Sequence, residues 1–185
     1  MKTASSNAPS RAIWVGAMAG ASTLASLLLA CATPFPSLAA LAATKVSRRD
    51  GFIVMAVAWF AAQVVTFTAH GYDAPTSMTW PFALATAAAA SLLLAGWTNR
   101  ALGHAPALAR AGGAYLAAFV GFKLGVLVWV NLLGHGWSAF SADVLLRQFV
   151  RYGANYAAMA ALQHLLERIG LQLGDAAAPR PAHAA

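Results

Sequence analysis

One lysine lies in the middle of a long apolar stretch. Lys123 is flanked on both sides by mostly apolar residues, in a run long enough to cross a bilayer. A charge at the bilayer centre costs about 2.5–3.5 kcal/mol on insertion scales. Such a lysine is neutral, is solvated by a cavity or binds an anionic ligand, unless it snorkels from a helix placed at another depth. Lys123 is therefore a candidate substrate-binding residue.

A polar stripe begins the last apolar segment. Asp143, Arg147, Arg151 and Asn155 recur every four residues, so a helix places them on one face. Asp143 can pair with Arg147, whereas Arg151 and Asn155 enter the apolar zone. This pattern indicates either a helix that lines a cavity or a helix that lies at the membrane surface before it turns inward. On the first interpretation Arg151 and Asn155 bind substrate.

Two histidines and the single cysteine could form a metal site. His70 and His135 each follow an apolar run, and Cys31 reaches the same face of the membrane if the N-terminus is cytoplasmic. These ligand types suit cobalt, nickel, copper, zinc or a haem. The alternative is that His70-Gly71 and Gly134-His135 simply end helices. A transition metal or a metal-containing ligand is thus one expectation, and no cofactor is fixed.

Composition limits the class of protein. The chain has 185 residues, of which 60% are hydrophobic and 9% charged, whereas soluble domains are about 45–50% apolar and about 25% charged. This excludes a soluble enzyme, a disordered protein and a nucleic-acid-binding domain. No G-x-S-x-G or H-E-x-x-H motif is present, so we expect no membrane hydrolase and no enzyme activity. The lipid bilayer is the first expected partner.

The elements that position these residues are expected to be helices. We predict an all-α, polytopic transmembrane bundle that forms a single domain over 12–173, between disordered tails at 1–11 and 174–185. Five apolar runs are long enough to span. They cover residues 12–33, 51–69, 79–98, 112–133 and about 142–171.

The charged loops predict an orientation. The 12 basic residues outnumber the 5 acidic ones, and many of them fall in loops 45–50 and 99–111 and after the last span. By the positive-inside rule these loops and the C-terminus face the cytoplasm. Loops 70–78 and 134–142 then face outward. We expect a multi-pass protein of the bacterial cytoplasmic membrane.

Residues 12–44 contain more than one span and less than two. Pro34-Phe35-Pro36 interrupts the apolar run, because the residue before a proline avoids helical angles. A half-helix return after Pro36 is favoured, since Lys2 and Arg11 place the N-terminus in the cytoplasm. The alternatives are one long kinked helix or a cleaved signal segment that ends near Cys31.

Two glycine pairs have the G-x-x-x-G spacing of close helix contacts. Gly16 and Gly20 lie on the first span, and Gly121 and Gly125 lie on the fourth. Each pair shares one helix face and lets another backbone approach. Lys123 lies about 200° around the helix from Gly121. Plain packing within the bundle is the favoured interpretation, and docking of other membrane transport subunits is the functional one.

The chain resembles the small substrate-binding S components of energy-coupling factor transporters for vitamins and metals. The resemblance lies in its size, its short Ala-rich spans and small-x-x-x-small patterns such as Ala39 to Ala43. The stretch from Cys31 to Tyr72 is also similar to bacterial membrane proteins associated with cobalt or cobalamin uptake. The resemblance implies that an outer substrate is bound and delivered inward with separate energising subunits.

Three functions follow as hypotheses. The first is a substrate-binding or transport subunit for a small anionic or metal-containing nutrient, in which Lys123, Arg151, Asn155, His70 and His135 contact the ligand. The second is a non-catalytic membrane scaffold or assembly subunit. The third is a small haem-binding redox subunit.

Overall fold

The computed structural model describes residues 13–21, 34–69 and 79–168, and the regular structure in these ranges is helical. This confirms the all-α fold. Cys31, His70 and both predicted tails lie outside the described residues. We label the helical segment 13–21 α1. The other elements are α2 (Phe35–Lys45), α3 (Arg48–Ala69), α4 (Thr79–Ala101), α5 (Ala107–Leu133), a 3-10 turn (Trp137–Phe140) and α6 (Ala142–Arg168).

The helix boundaries differ from the predicted ones where local capping extends a helix into a polar stretch. Helix α3 begins before the predicted residue 51 because Ser47 caps it. The Ser47 hydroxyl accepts a hydrogen bond from the Asp50 N–H at 3.2 Å, as an N-cap residue does, and it donates to Asp50 Oδ2 at 2.7 Å. Helix α5 likewise begins five residues before the predicted 112, directly after Pro106.

A short helix begins within the Pro-Phe-Pro sequence, which both the half-helix interpretation and the kinked-helix alternative allow. Helix α2 has 11 residues and is therefore about 16 Å long, about half of a hydrocarbon core of about 30 Å. It begins at Phe35 rather than after Pro36, because proline fits the first helical turn. Its connection to α1 lies outside the described residues.

Helix α2 occupies the centre of the bundle. All eight residues from Phe35 to Ala42 are buried, and the helix packs against α3, α4, α5 and α6. Its far end is fixed by Asn99, whose Nδ2 donates to the Ala43 carbonyl at 2.9 Å. Lys45 Nζ lies 3.1 Å from Glu167 Oε1 at the end of α6. We call this region, where α2, α4 and α6 end and α3 and α5 begin, the basic end.

Helices α4 and α5 form the most extensive helix pair. Gly121 and Gly125 face α4 so closely that a Cβ on Gly125 would lie 2.5 Å from Ala87 Cα. Across the same contact the Ser91 hydroxyl donates to the Ala118 carbonyl at 2.8 Å. Small residues thus bring the two backbones together, as in other membrane helix pairs.

The outer side of α5 carries a row of large aliphatic side chains. Leu116, Val120, Leu124, Val128 and Leu132 recur every four residues and are all exposed, up to 71% for Leu132. A row of this size on the outside of a folded protein indicates contact with an apolar medium. The bundle is therefore apolar on its outer surface as well as in its core.

Three helices in the described ranges are long and apolar enough to cross a membrane, so the prediction of five spans is not confirmed. They are Arg48–Thr68 within α3, and the whole of α4 and α5. Helix α6 is long enough, but Asp143, Arg147, Arg151 and the polar residues that follow lower its hydropathy. The first predicted span is described only over 13–21.

Candidate binding site

Lys123 lies inside the bundle and is only 8% exposed. Its Nζ donates a hydrogen bond to the Ala139 carbonyl at 2.9 Å. The same nitrogen lies 5.2 Å from the ring centre of Phe140 and 6.0 Å from that of Phe119, within the range of cation–π attraction. The lysine thus has a backbone partner and an aromatic wall, and this one hydrogen bond uses one of its three N–H donors.

The partner of Lys123 is supplied by a turn that folds back over the end of α5. Gly134 ends α5 with φ 72°, and its N–H donates to the Val130 carbonyl at 3.0 Å. Gly136 has φ 97°, and a Cβ there would be strained and within 3.3 Å of Trp80. Glycine is required at both positions because side chains rarely adopt positive φ. The prediction that glycine ends the helix beside His135 is confirmed.

Helix α6 meets α5 through aromatic side chains. Tyr115 stacks on Tyr156 with ring centres 5.5 Å apart, and Phe119 packs edge-on against Phe149 at 5.3 Å. The Tyr115 hydroxyl donates to the Phe149 carbonyl. The α5 and α6 backbones approach each other less than those of α4 and α5, and α6 packs more extensively on α2 than on α5.

The first turn of α2 reaches α6 at mid-length. The Ser37 hydroxyl donates to the Tyr152 carbonyl at 2.6 Å, and Phe35 lies 6.3 Å from Phe122 between ring centres. An α-helix leaves its first N–H groups without partners in the helix. Pro34 and Pro36 have no N–H, so the buried start of α2 presents few such donors.

Two side-chain amides near this level have buried atoms with no partner among the described residues. They are Asn155 Nδ2 and Gln148 Oε1, on the turns of α6 to either side of Tyr152. An unpaired buried polar atom is destabilising by about 1–3 kcal/mol. A bound polar ligand or water would remove that penalty. We call the start of α2 together with Ser37, Gln148 and Asn155 the mid-bundle site.

The structure distributes the predicted site residues along α5 and α6. Lys123 lies on α5 beside an aromatic wall, and Asn155 lies on α6 with a buried amide nitrogen that has no partner among the described residues. Arg151 is exposed on α6, and the described residues offer it no hydrogen bond or ion pair. His135 is exposed too, with its ring 5.9 Å from that of Trp80.

The predicted metal site lies mostly outside the described residues, because it needs Cys31 and His70. Within the described ranges no group of three or more His, Cys, Asp or Glu side chains could hold a metal ion. The metal-site and haem hypotheses therefore remain predictions.

The two glycine faces have different surroundings. Gly121 and Gly125 are covered by α4, so the favoured interpretation of plain packing is correct for them, and this face cannot dock another subunit. A Cβ on Gly16 or Gly20 would meet no atom of the described residues within 4 Å. Docking of other membrane transport subunits therefore stays a prediction for the Gly16/Gly20 face alone.

Sequence reasoning missed the residues that α2 brings to the centre. Ser37 and Gln148 carried no motif, and Tyr152 was not distinguished from other aromatic residues. The available signal was Pro34-Phe35-Pro36, because a helix start without N–H groups is suited to burial.

Comparison with protein-family models, curated proteins and solved structures finds no match for this chain. The class therefore follows from the structure itself. Three apolar helices, an apolar outer surface and a short helix buried among them define an all-α integral membrane protein with a multi-pass bundle in contact with lipid.

Proposed function

We propose that this chain is a substrate-binding subunit of a membrane transport system and that it binds a small anionic solute at the mid-bundle site. The observation that carries the proposal is a helix that starts inside the bundle beside partly unpaired amides. Discontinuous helices of this kind hold substrates in many transporters, where half-helix N-termini point at anionic groups. The resemblance to transporter S components belongs to the same proposal.

The charge distribution favours an anion. Among the described residues, Lys123 is the one charged side chain that is buried. The described carboxylates lie near helix ends, at Asp50, Asp143 and Glu167. The N-terminus of α2 adds a partial positive charge, which the two prolines without an N–H reduce. A small anion would therefore enter a region whose charges are positive and whose aromatic walls exclude water.

The polar groups supply hydrogen bonds of the correct type. Asn155 Nδ2 is a free donor, and Lys123 Nζ keeps donors beyond the one given to Ala139. Gln148 Oε1 is an acceptor and would suit a protonated or hydroxyl-bearing part of the solute. Arg151, His135, His70 and Cys31 remain outer candidates in this proposal, and a metal-containing solute remains its second ligand class.

Ligand-induced stabilisation tests the proposal. The purified protein is heated with sodium phosphate, sodium sulfate, sodium citrate or cobalt(II) chloride in turn. A solute at a hundred times its Kd stabilises the folded state by about 2.7 kcal/mol. We expect at least one of the anions to raise the apparent Tm, and Asn155→Leu and Lys123→Met to remove that shift.

Asn131→Leu is the matched control, because Asn131 is an exposed asparagine on α5 whose Nδ2 donates to the Leu127 carbonyl at 2.8 Å. It should keep the full shift. If none of the anions stabilises the wild type, or if the shift survives in both Asn155→Leu and Lys123→Met, the proposed anion site is wrong.

The second candidate function is an assembly subunit, and the Gly16/Gly20 face of α1, which no described residue covers, favours it. Small residues at this spacing allow another helix to approach closely. A Gly16→Leu variant should then lose a co-purifying membrane partner, while Gly112→Leu, at another open glycine, should retain it. Equal recovery of the partner by both variants would remove this candidate.

A further inference from the structure

A cavity of about 260 Å³ opens at the basic end of the bundle. The last turn of α2, the first turns of α3 and α5 and the end of α4 form its walls. Four basic side chains line it: Lys45, Arg48, Arg100 and Arg110. It is separate from the mid-bundle site, because α2 runs from that site to the cavity.

One side of the cavity is held in place by a bridging asparagine. Asn99 Oδ1 accepts hydrogen bonds from Nε and a terminal nitrogen of Arg110, both at 3.2 Å. Asn99 Nδ2 donates to the Ala43 carbonyl at 2.9 Å. The Arg110 guanidinium is therefore positioned before any ligand binds, and its partner is a neutral amide that leaves its charge uncompensated.

The cavity has more positive than negative charge. Lys45 pairs with Glu167 at 3.1 Å. Arg48, Arg100 and Arg110 form no ion pair with a carboxylate in the described part of the chain. Guanidinium groups bind phosphate oxygens with good geometry. Three guanidinium groups around one cavity repel each other, and a phosphate group bound between them would compensate their charge.

The floor of the cavity is apolar and extends along the lipid-facing surface. Phe52 and Leu93 line it and are 36% and 42% exposed. Leu93 lies about 9 Å deeper along α4 than Asn99, at about 1.5 Å per residue. Gly96 lies between them and leaves open space, since a Cβ there would meet nothing within 4 Å. This apolar floor would suit an acyl chain, whereas it provides no hydrogen bond or charge for a free ion.

We propose that this cavity binds an anionic phospholipid, with its phosphate between Arg48, Arg100 and Arg110 and an acyl chain over Gly96 and Leu93. Basic cavities between membrane helices are suited to anionic headgroups. Inorganic phosphate shares the headgroup chemistry, but only a lipid uses both the arginines and the apolar floor. The inference does not depend on the proposed transport function.

Lipid binding can be measured on the purified full chain in detergent micelles. Dioleoylphosphatidylglycerol is titrated by native mass spectrometry, and dioleoylphosphatidylcholine has the same acyl chains without net charge. We expect retention of phosphatidylglycerol only. Each arginine near a membrane surface changes affinity for anionic lipid by about fivefold, so Arg48→Gln/Arg100→Gln should bind phosphatidylglycerol about twenty-fivefold more weakly.

Arg49→Gln is the matched control. Arg49 is the exposed neighbour of Arg48 in the first turn of α3 and does not line the cavity, so its loss should change lipid binding by less than the loss of Arg48. Gly96→Leu fills the apolar floor and should weaken lipid binding, whereas Gly112→Leu should not.

Three outcomes would overturn the proposal. The first is equal binding of the two lipids, and the second is equal weakening by Arg49→Gln and Arg48→Gln. The third is stabilisation by sodium phosphate that depends on Arg48 and Arg100 while Gly96→Leu has no effect on lipid binding. That third result would assign the cavity to a free ion instead of a lipid.

Discussion

The close contact between α4 and α5 gives a quantitative prediction for Gly125→Ala. The new Cβ would lie 2.5 Å from Ala87 Cα and 2.9 Å from Ala87 Cβ. Ordinary contact begins at 3.4 Å, so the backbones must separate by about 0.9 Å, which is the difference between 3.4 Å and 2.5 Å. Neither neighbour is the end of a flexible side chain, so the shift falls on the helices themselves.

The expected loss follows from this separation. A gap of about 0.5–1 Å forfeits about a quarter to a half of the dispersion attraction between the atoms that face it, and overpacking in a well-packed contact destabilises by about 1–3 kcal/mol. The Ser91 hydroxyl bond to the Ala118 carbonyl crosses the same contact at 2.8 Å and would lengthen. The gain in helix propensity from glycine to alanine is about 1 kcal/mol and partly offsets the loss.

Gly112→Ala on the same helix separates the two effects. A Cβ at Gly112 meets nothing within 4 Å, so this variant gains propensity and loses no packing. We expect Gly125→Ala to be less stable than Gly112→Ala by about 1–3 kcal/mol, measured by titration with sodium dodecyl sulfate and tryptophan fluorescence. Equal stability of the two variants would refute the close packing of α4 on α5.

Three further predictions concern single polar contacts. Lys123→Met should leave membrane insertion intact and raise amide hydrogen exchange at 138–141, because the turn loses its bond to Nζ; unchanged exchange would show that Lys123 does not hold the turn. Ser37→Ala should lower stability by about 1 kcal/mol in the same titration, since its hydroxyl bond to Tyr152 is lost, and a neutral result would contradict that bond. The hydrogen bond from Gln163, followed by those from Lys45, holds the pKa of Glu167 below its ordinary value. The ionised Glu167 therefore stabilises the folded state above the ordinary carboxyl pKa, and this stabilisation is lost as the pH falls through the lowered pKa. Glu167→Gln should reduce the acid sensitivity of the Tm. An unchanged dependence of the Tm on pH would exclude the effect.

Much of the helical framework could be predicted from the sequence, because apolar runs and their breaks are local features. The ends of α4 and the start of α6 agree closely with the predicted positions, and Gly134 was identified as a helix end. The starts of α3 and α5 were missed. They depend on Ser47 and Pro106, which act on the first turn and do not change the apolar pattern.

The centre of the bundle could not be predicted in the same way. An Ala/Leu-rich stretch has the same composition whether lipid or protein covers it. The sequence of residues 37–44 therefore did not predict that α2 lies inside a ring of four helices. The partner of Lys123 was also inaccessible, because Ala139 contributes only its backbone carbonyl and any residue type provides one. The basic loops were recognised, but the cavity between them depends on how Asn99 joins α2, α4 and α5.

Cysteine labelling tests most directly whether α2 begins inside a membrane-crossing bundle. Cys31 is the only cysteine, so single cysteines are introduced into a Cys31→Ser background, and membrane vesicles of both orientations are treated with an impermeant maleimide. The Arg49→Cys and Gly103→Cys variants should be labelled from one side and Ser138→Cys from the other.

The Ser37→Cys variant carries the central result, since Ser37 is fully buried at the start of α2. We predict that it is labelled from neither side in intact vesicles and fully after denaturation. Rapid labelling of Ser37→Cys in intact vesicles, or labelling of Arg49→Cys and Ser138→Cys from the same side, would contradict a half-helix buried in the middle of this bundle.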